Sequence, residues 1–179
     1  MKHDENAAAG VLRRLEQKHA DELAALESAN LDDLIRCMPG YSSGKPSPDD
    51  VIVRLRRLEH DVEADIRHSF GIWDNTGLSG VLSLSNVIRG PLNCATVGFW
   101  IDRERRGKGL ATHALSKAIK IAWSDLRLHR IEAGIISTNA TSQRVLLRNG
   151  FEFIGLARKY LFVDGEWRDH LLFQITSGG

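Results

Sequence analysis

Residues 105–111 read RRGKGLA, and they lie between two segments of different pattern. The preceding residues, 95–101, form a short apolar run with aromatic and β-branched side chains, which predicts a buried strand. From Leu110 to Ala122, apolar side chains recur at three- and four-residue spacing, which predicts a helix with one buried face. Two glycines, two arginines and a lysine therefore lie where a strand passes into the N-terminus of a helix.

This glycine turn, residues 105–111, is suited to a phosphate. Backbone N–H groups at the start of a helix have no partner within the helix, and the helix dipole is positive there. Glycine has no side chain to hold a phosphate away from those amides. The glycine pattern of dinucleotide-binding folds is absent from the turn, and no Gly-Lys-Ser/Thr ends it, which disfavours NAD and ATP.

The composition bounds the class of protein. A chain of 179 residues with 42% hydrophobic and 26% charged residues predicts a single globular domain. A net charge of +1 argues against a protein that coats nucleic acid. Cys37 and Cys94 are far apart with no C-x-x-C motif, so we expect neither a disulfide framework nor a zinc site. Residues 1–6 are polar and no apolar run reaches about 18 residues, so we expect no signal peptide, no membrane span and a cytoplasmic location.

The rest of the chain alternates between strand and helix patterns. Further strands are predicted at residues 11–15, 70–73, 80–88, 131–137, 153–163 and 167–175. Further helices are predicted at residues 18–28, 31–38, 47–66 and 139–149, with a loop at 39–46. Turn residues at 74–77 and the dipeptide Asp164-Gly165 predict antiparallel hairpins. The fold class is α/β, in the form of a mixed α+β sheet with helices on its faces.

Five blocks, in consecutive order, resemble a known family. They are the glycine turn, LHRIEA at 128–133, NATS at 139–142, VLLRNGF at 145–151 and YLFVDGEWRDH at 160–170. Together they resemble the RimJ/RimL group of the GNAT N-acetyltransferase superfamily, whose better-known members acetylate the N-termini of ribosomal proteins. The resemblance covers residues 70–173. It implies the GNAT acyl-CoA N-acyltransferase fold, a central and mostly antiparallel sheet that is splayed at the cofactor site and flanked by about four helices.

The resemblance also implies acetyl-CoA as co-substrate, with no metal. The amides of residues 107–112 would hold the pyrophosphate, and Arg106 or Lys108 would add charge. The pantetheine arm would enter the gap between strands 95–101 and 131–137, where a backbone N–H near Ile101 would polarise the thioester carbonyl. Asn139 is a helix N-cap, a pantetheine ligand or both. The implied cofactor-binding residues are Trp100, Ile101, Arg106, Gly107, Lys108, Gly109, Leu110, Ala111, Thr112, Asn139 and Ser142.

The sequence leaves alternatives for the general acid and the general base. Many GNAT enzymes have a tyrosine where this chain has Val145, and many have a glutamate where it has Thr96. The resemblance offers Ser142 as the acid that protonates the departing thiolate, with Tyr160 as the competing candidate. Glu132, the pair Asp169 and His170, or a chain of waters remains for the base.

These observations predict a single GNAT domain over residues 1–179. Residues 1–66 are the helical part that shapes the acceptor site, and residues 92–176 are the acetyl-CoA-binding and catalytic core. The expected activity is direct transfer of an acetyl group from acetyl-CoA to a primary amine, most simply the N-terminal α-amine of a protein. Alternatives are a small-molecule amine, such as an antibiotic or metabolite, and a non-catalytic acyl-CoA-binding module. We expect no nucleic-acid or membrane partner, and either a monomer or a homodimer.

Overall fold

The computed structural model describes residues 11–41 and 44–178. Residues 1–6, on which the expectation about a signal peptide depends, lie outside this range, as do Ser42 and Ser43 of the predicted 39–46 loop. The strands are β1 Val11–Arg14, β2 His68–Asp74, β3 Gly77–Ile88, β4 Cys94–Ile101, β5 Arg130–Ile136, β6 Glu152–Val163 and β7 Glu166–Thr176. The α-helices are α1 Ala20–Ala29, α2 Leu31–Cys37, α3 Pro48–Glu63, α4 Leu110–Ser124 and α5 Ala140–Arg148.

All seven strands belong to one sheet, in the order β1-β2-β3-β4-β5-β7-β6. Every neighbouring pair is antiparallel except β4 and β5, which are parallel. The mixed sheet predicted from the residue patterns, and its mostly antiparallel form implied by the family resemblance, are therefore confirmed, and the described residues form five α-helices where about four were expected. Each predicted strand is present, with ends that differ by at most three residues.

Helix α3 ends at Glu63, three residues before the predicted end at residue 66. Asp65 has a positive φ of 54°, which takes the chain out of the helical path. The N–H groups of Ile66 and Arg67 both bond to the carbonyl of Asp61 and close the turn. The helix begins as predicted, with a Ser47 cap whose hydroxyl accepts from the Asp50 N–H.

Two apolar clusters cover the two faces of the sheet. One cluster joins α4 and α5 to the central strands and includes Leu115 and Leu146, which are fully buried. The other joins α1 and α3 to the β2–β3 hairpin and includes Val51 and Leu55. Helix α2 follows α1 directly and contacts β6. No helix of the described residues is long and apolar enough to cross a membrane.

The sheet separates between β4 and β5. The two strands are paired only where residues 94–96 face residues 130–132. Beyond Thr96, β4 continues along β3 alone, while β5 stays paired with β7 as far as Ile136. The unpaired halves of the two strands leave a gap that opens toward the glycine turn, as the family resemblance implied.

Candidate active site

A cavity of about 740 Å³ occupies this gap. Five elements besides β4 supply its lining: α2, the glycine turn with the start of α4, β5, α5 and β7. It therefore reaches from the phosphate-type turn, through the opening in the sheet, to the short helix α2. Of the residues predicted to bind the cofactor, those that line it are Trp100, Ile101, Arg106, Gly107, Gly109, Leu110, Ala111, Thr112, Asn139 and Ser142.

The glycine turn has the backbone geometry that an anion site requires. Gly107 and Gly109 have φ values of 80° and 79°, in the left-handed region that favours glycine. Gly109 is the N-cap of α4, and its carbonyl accepts from the His113 N–H at 3.0 Å. This is the first turn of the helix, so the N–H groups of residues 110–112 have no partner within it. Successive free amides beside two left-handed glycines form a concave site for phosphate.

The two arginines of the turn are already engaged with other parts of the chain. Arg105 bonds to Asp74 at 3.0 Å and to the Ser79 hydroxyl at 2.7 Å, which fixes the turn against the β2–β3 hairpin. Arg106 donates from Nε to the carbonyl of Ile101 at 3.1 Å and forms an ion pair with Asp33 of α2 at 2.8 Å. Arg106 therefore connects α2 to the end of β4, a tertiary role that its position in the motif did not indicate.

Asn30 holds α2 against the same region. Its buried side chain donates to Asp102 at 3.0 Å and accepts from the Arg103 N–H at 2.9 Å. Asp102 is itself buried and forms an ion pair with Arg105. The helix that bounds one end of the cavity is thus bonded directly to the loop that leads into the glycine turn.

The backbone N–H of Ile101 faces the gap. The N–H of the next residue, Asp102, bonds to the Ser79 carbonyl of β3 at 2.8 Å. Backbone groups alternate between the two sides of a strand in this pairing, so the N–H and carbonyl of Ile101 point away from β3. Since β5 has already diverged there, this N–H is available to a ligand carbonyl within the cavity.

Helix α5 presents Asn139 and Ser142 to the cavity. The Asn139 side chain accepts from the Ser142 N–H at 3.1 Å and so caps the helix, as expected, while Asn139 also lines the cavity. The half-buried Ser142 hydroxyl has no hydrogen-bond partner among the described residues, which leaves it free for a ligand. Val145, one turn further on, gives the cavity an apolar wall.

Three of the predicted site residues lie outside the lining. Lys108 is exposed on the turn. Glu132 faces Thr96 at the last paired position of β4 and β5, and its carboxylate is 3.6 Å from Arg130. Tyr160 packs against the ring of His170 and lies over Gly134, which does line the cavity.

Sequence reasoning missed the charged side chains that line both ends of the cavity. Asp33, Arg36 and Arg168 line it near α2; they lie in segments that the family resemblance covers or assigns to the acceptor, but no sequence feature distinguishes these three side chains as ligands. Arg144 and Arg148 line it from α5, and here a signal was present. Two arginines four residues apart repel each other in a helix that contains no acidic residue, which favours an external anion.

The geometry fits an extended ligand with a diphosphate at one end. The glycine turn would take the phosphates, the unpaired strand edges would pair with an amide-bearing arm, and the Ile101 N–H would meet a carbonyl. Acetyl-CoA has these three parts. Within residues 11–41 and 44–178, no group of three His, Cys, Asp or Glu side chains is arranged to hold a metal ion.

Comparison with known proteins also points to an acetyltransferase. The model of the acetyltransferase (GNAT) domain matches residues 11–152. The probable N-acetyltransferase YjcK of Bacillus subtilis is 35% identical over 174 residues, which cover 93% of each chain. The [ribosomal protein uS5]-alanine N-acetyltransferase of Escherichia coli is 39% identical over 110 residues, 60% of this chain and 57% of that protein.

A solved structure agrees over nearly the whole fold. Mycobacterium smegmatis RimJ, in complex with CoA-disulfide, superposes with a TM-score of 0.88 and 32% identity. The match covers 95% of this chain and 84% of that chain. The resemblance read from the five sequence blocks is thereby confirmed.

Proposed function

The chain belongs to the GNAT acetyltransferase family and is an N-acetyltransferase, and from this premise we propose that it acetylates the N-terminal α-amine of a protein, with acetyl-CoA as donor. One observation carries the proposal: a single cavity joins the glycine turn to α2 through the gap between β4 and β5. A donor held at the turn would thus have its thioester in the middle of the sheet. The α2 end would remain for the acceptor, in agreement with the acceptor-shaping role expected of residues 1–66.

In this proposal acetyl-CoA supplies the reactive thioester, and the chain positions it. The amides of residues 110–112 bind the phosphates, and the unpaired edges of β4 and β5 align the arm. The Ile101 N–H stabilises the charge that develops on the carbonyl oxygen as the amine attacks. The Ser142 hydroxyl donates a proton to the departing thiolate, since it lines the cavity beside the Asn139 cap and forms no hydrogen bond with any described residue.

The structure does not bring Tyr160 or Glu132 to the cavity wall, so we assign neither the main proton-transfer role. His170 is buried, with Nδ1 3.0 Å from the Arg168 carbonyl, and it does not line the cavity either. An α-amine has a pKa of about 7.7–8.0, so a substantial share is neutral near pH 8 without a strong base. Water is then sufficient to take the proton released on attack.

The first test is acetyl transfer itself. We expect CoA release, followed with a thiol reagent, when the protein is mixed with acetyl-CoA and peptides that carry a free N-terminus. The matched control is the same peptide with its N-terminus blocked and one lysine added. It should react at least about tenfold more slowly, because the lysine ε-amine, with a pKa near 10.4, is almost fully protonated. Faster release with amino-sugar or aminoacyl antibiotics than with any peptide would move the acceptor to small molecules. If acetyl-CoA binds but no acceptor causes CoA to be released, the proposed enzymatic activity is wrong.

A second prediction concerns Arg144 and Arg148. Arg144 makes only a weak 3.4 Å contact with Thr141, and no partner of Arg148 is found in the described part of the chain. We propose that they neutralise CoA phosphate outside the turn. Replacing both with glutamine should raise the KM for acetyl-CoA about tenfold with little change in kcat, since both arginines are exposed and each solvent-exposed charge pair contributes about 0.2–1 kcal/mol. The control in steady-state kinetics is Arg158→Gln, which changes an exposed arginine outside the lining. If the KM for acetyl-CoA is the same in the double variant as in this control, the assignment is contradicted.

A further inference from the structure

The lining at the α2 end of the cavity contains more arginine side chains than carboxylates. Four charged groups surround the Cys37 thiol closely enough to affect its ionisation: Asp33, Arg36, Arg106 and Arg168. Partial desolvation raises the pKa of this thiol, which still reaches solvent, and Asp33 adds to the rise while the three arginines oppose it. All five side chains line the cavity. Three cations and one carboxylate therefore border the space that the proposed function leaves to the acceptor.

The single carboxylate is not available to an ammonium group. Asp33 pairs through one oxygen with Arg36 and through the other with Arg106, the latter at 2.8 Å. These two arginines hold the pKa of Asp33 below its usual range against the opposing effect of burial. A cationic acceptor would have to compete with both arginines for Asp33.

Arg168 contributes a donor that no described residue accepts. Its terminal nitrogen lies 2.9 Å from Glu166 and 3.9 Å from Asp164, both at the β6–β7 hairpin. Its Nε is buried and has no acceptor among the described residues. A buried donor of this kind normally has a partner, so a group that binds at the cavity is expected to supply one, after a small shift of the side chain.

We propose that Arg36 and Arg168 make the enzyme selective for acceptors whose α-amine is flanked by an anionic group, a carboxylate or a phosphate, and that polyamines and basic peptides are poor acceptors. This inference rests on the proposed function and deepens it by naming the chemistry next to the amine. The anionic group would pair with the two guanidinium groups, while the cationic surroundings favour the neutral, nucleophilic form of the amine. An acidic protein N-terminus and a small amino acid derivative share this chemistry.

The acceptor test compares three peptide amides that differ only at the second residue: Ala-Asp-Ser, Ala-Asn-Ser and Ala-Lys-Ser. We expect kcat/KM to fall in that order, with the aspartate peptide about fivefold better than the asparagine peptide, as for a partly solvated charge pair. Arg36→Gln and Arg168→Gln should each reduce this ratio toward one. Arg158→Gln on the exposed edge strand is the matched control and should retain the wild-type ratio. Alanine and a small alanyl phosphate, compared with the aspartate peptide, distinguish a metabolite from a protein N-terminus.

A second measurement detects the charge without any turnover. Cys37 is exposed and Cys94 is buried, so alkylation of the folded protein reports on Cys37. The ratio of the rate with iodoacetate to that with iodoacetamide should exceed the ratio for N-acetylcysteinamide about fivefold, because local positive charge attracts the anionic reagent. The raised pKa of Cys37 slows both reagents alike and cancels in the ratio. Arg36→Gln and Arg168→Gln should lower the ratio of the two alkylation rates, and Arg158→Gln should leave it unchanged.

The two measurements separate the possible failures. An acid preference and an elevated alkylation ratio that both fall in Arg36→Gln and Arg168→Gln support the inference. Equal kcat/KM for the three peptides, or an alkylation ratio equal to that of N-acetylcysteinamide, overturns it even if acetyl transfer is efficient. If no amine is acetylated, the proposed function fails, and the alkylation ratio still decides whether the α2 end is the anion-attracting surface described here.

Discussion

Gly109→Val should weaken acetyl-CoA binding at least about a hundredfold, because the new side chain removes two or more charge-assisted hydrogen bonds worth about 1.5–3 kcal/mol each. Gly109 has a φ of 79°, a region that a β-branched residue avoids. Valine is unfavourable here because of the backbone conformation and not because of a steric clash, since an added Cβ would be 3.5 Å from the His113 ring. Valine would take a negative φ and rotate the first amides of α4 away from the phosphates.

Gly90→Val is the matched control for this variant. Gly90 also has a φ of 79°, lies in open space and is located between β3 and β4, outside the cavity lining. Both variants should therefore lose a similar amount of stability in thermal unfolding, while only Gly109→Val should raise the Kd for acetyl-CoA in calorimetry. A Kd within about threefold of wild type for Gly109→Val would mean that these amides contribute less than one hydrogen bond to phosphate binding.

Local patterns were sufficient to predict the elements that form the donor side of the site. The apolar run before the turn, the helical spacing after it and the Asn139 cap are each encoded within a short segment of the chain. Each was confirmed, because apolar periodicity and capping residues act on the backbone of their own segment. The splay between β4 and β5 came from family resemblance, since strand pairing depends on partners distant in the chain.

The charged residues at the α2 end show where sequence reasoning stops. Arg106 and Asp33 are 73 positions apart, and their ion pair depends on how α2 lies across the sheet. No periodicity in either segment indicates this contact. The motif suggested that Arg106 would act on phosphate, whereas the structure pairs it with Asp33 and the Ile101 carbonyl. A single sequence shows which residues can carry charge, but tertiary packing decides which charges are already neutralised.

Ser142→Ala should lower kcat by about a hundredfold, the lower end of what loss of a general acid costs. The Ser142 hydroxyl is the candidate donor on the cavity wall, and the departing thiolate would otherwise take its proton from water. The fold should be retained, because the cap on α5 uses the backbone N–H of residue 142, which alanine preserves, and alanine favours helix. The Kd for acetyl-CoA should change less than about threefold, since one neutral hydrogen bond contributes about 0.5–1.5 kcal/mol.

Two further variants identify the acid. Ser142→Thr keeps a hydroxyl at the same position and should recover part of kcat, which a purely structural role for Ser142 would not predict. Tyr160→Phe removes only the competing hydroxyl and should leave kcat nearly unchanged, because Tyr160 packs on His170 outside the cavity lining. The reverse pattern, with normal turnover in Ser142→Ala and a large loss in Tyr160→Phe, would transfer the acid role to Tyr160 and would require the β6–β7 hairpin to move toward Gly134 when the donor binds.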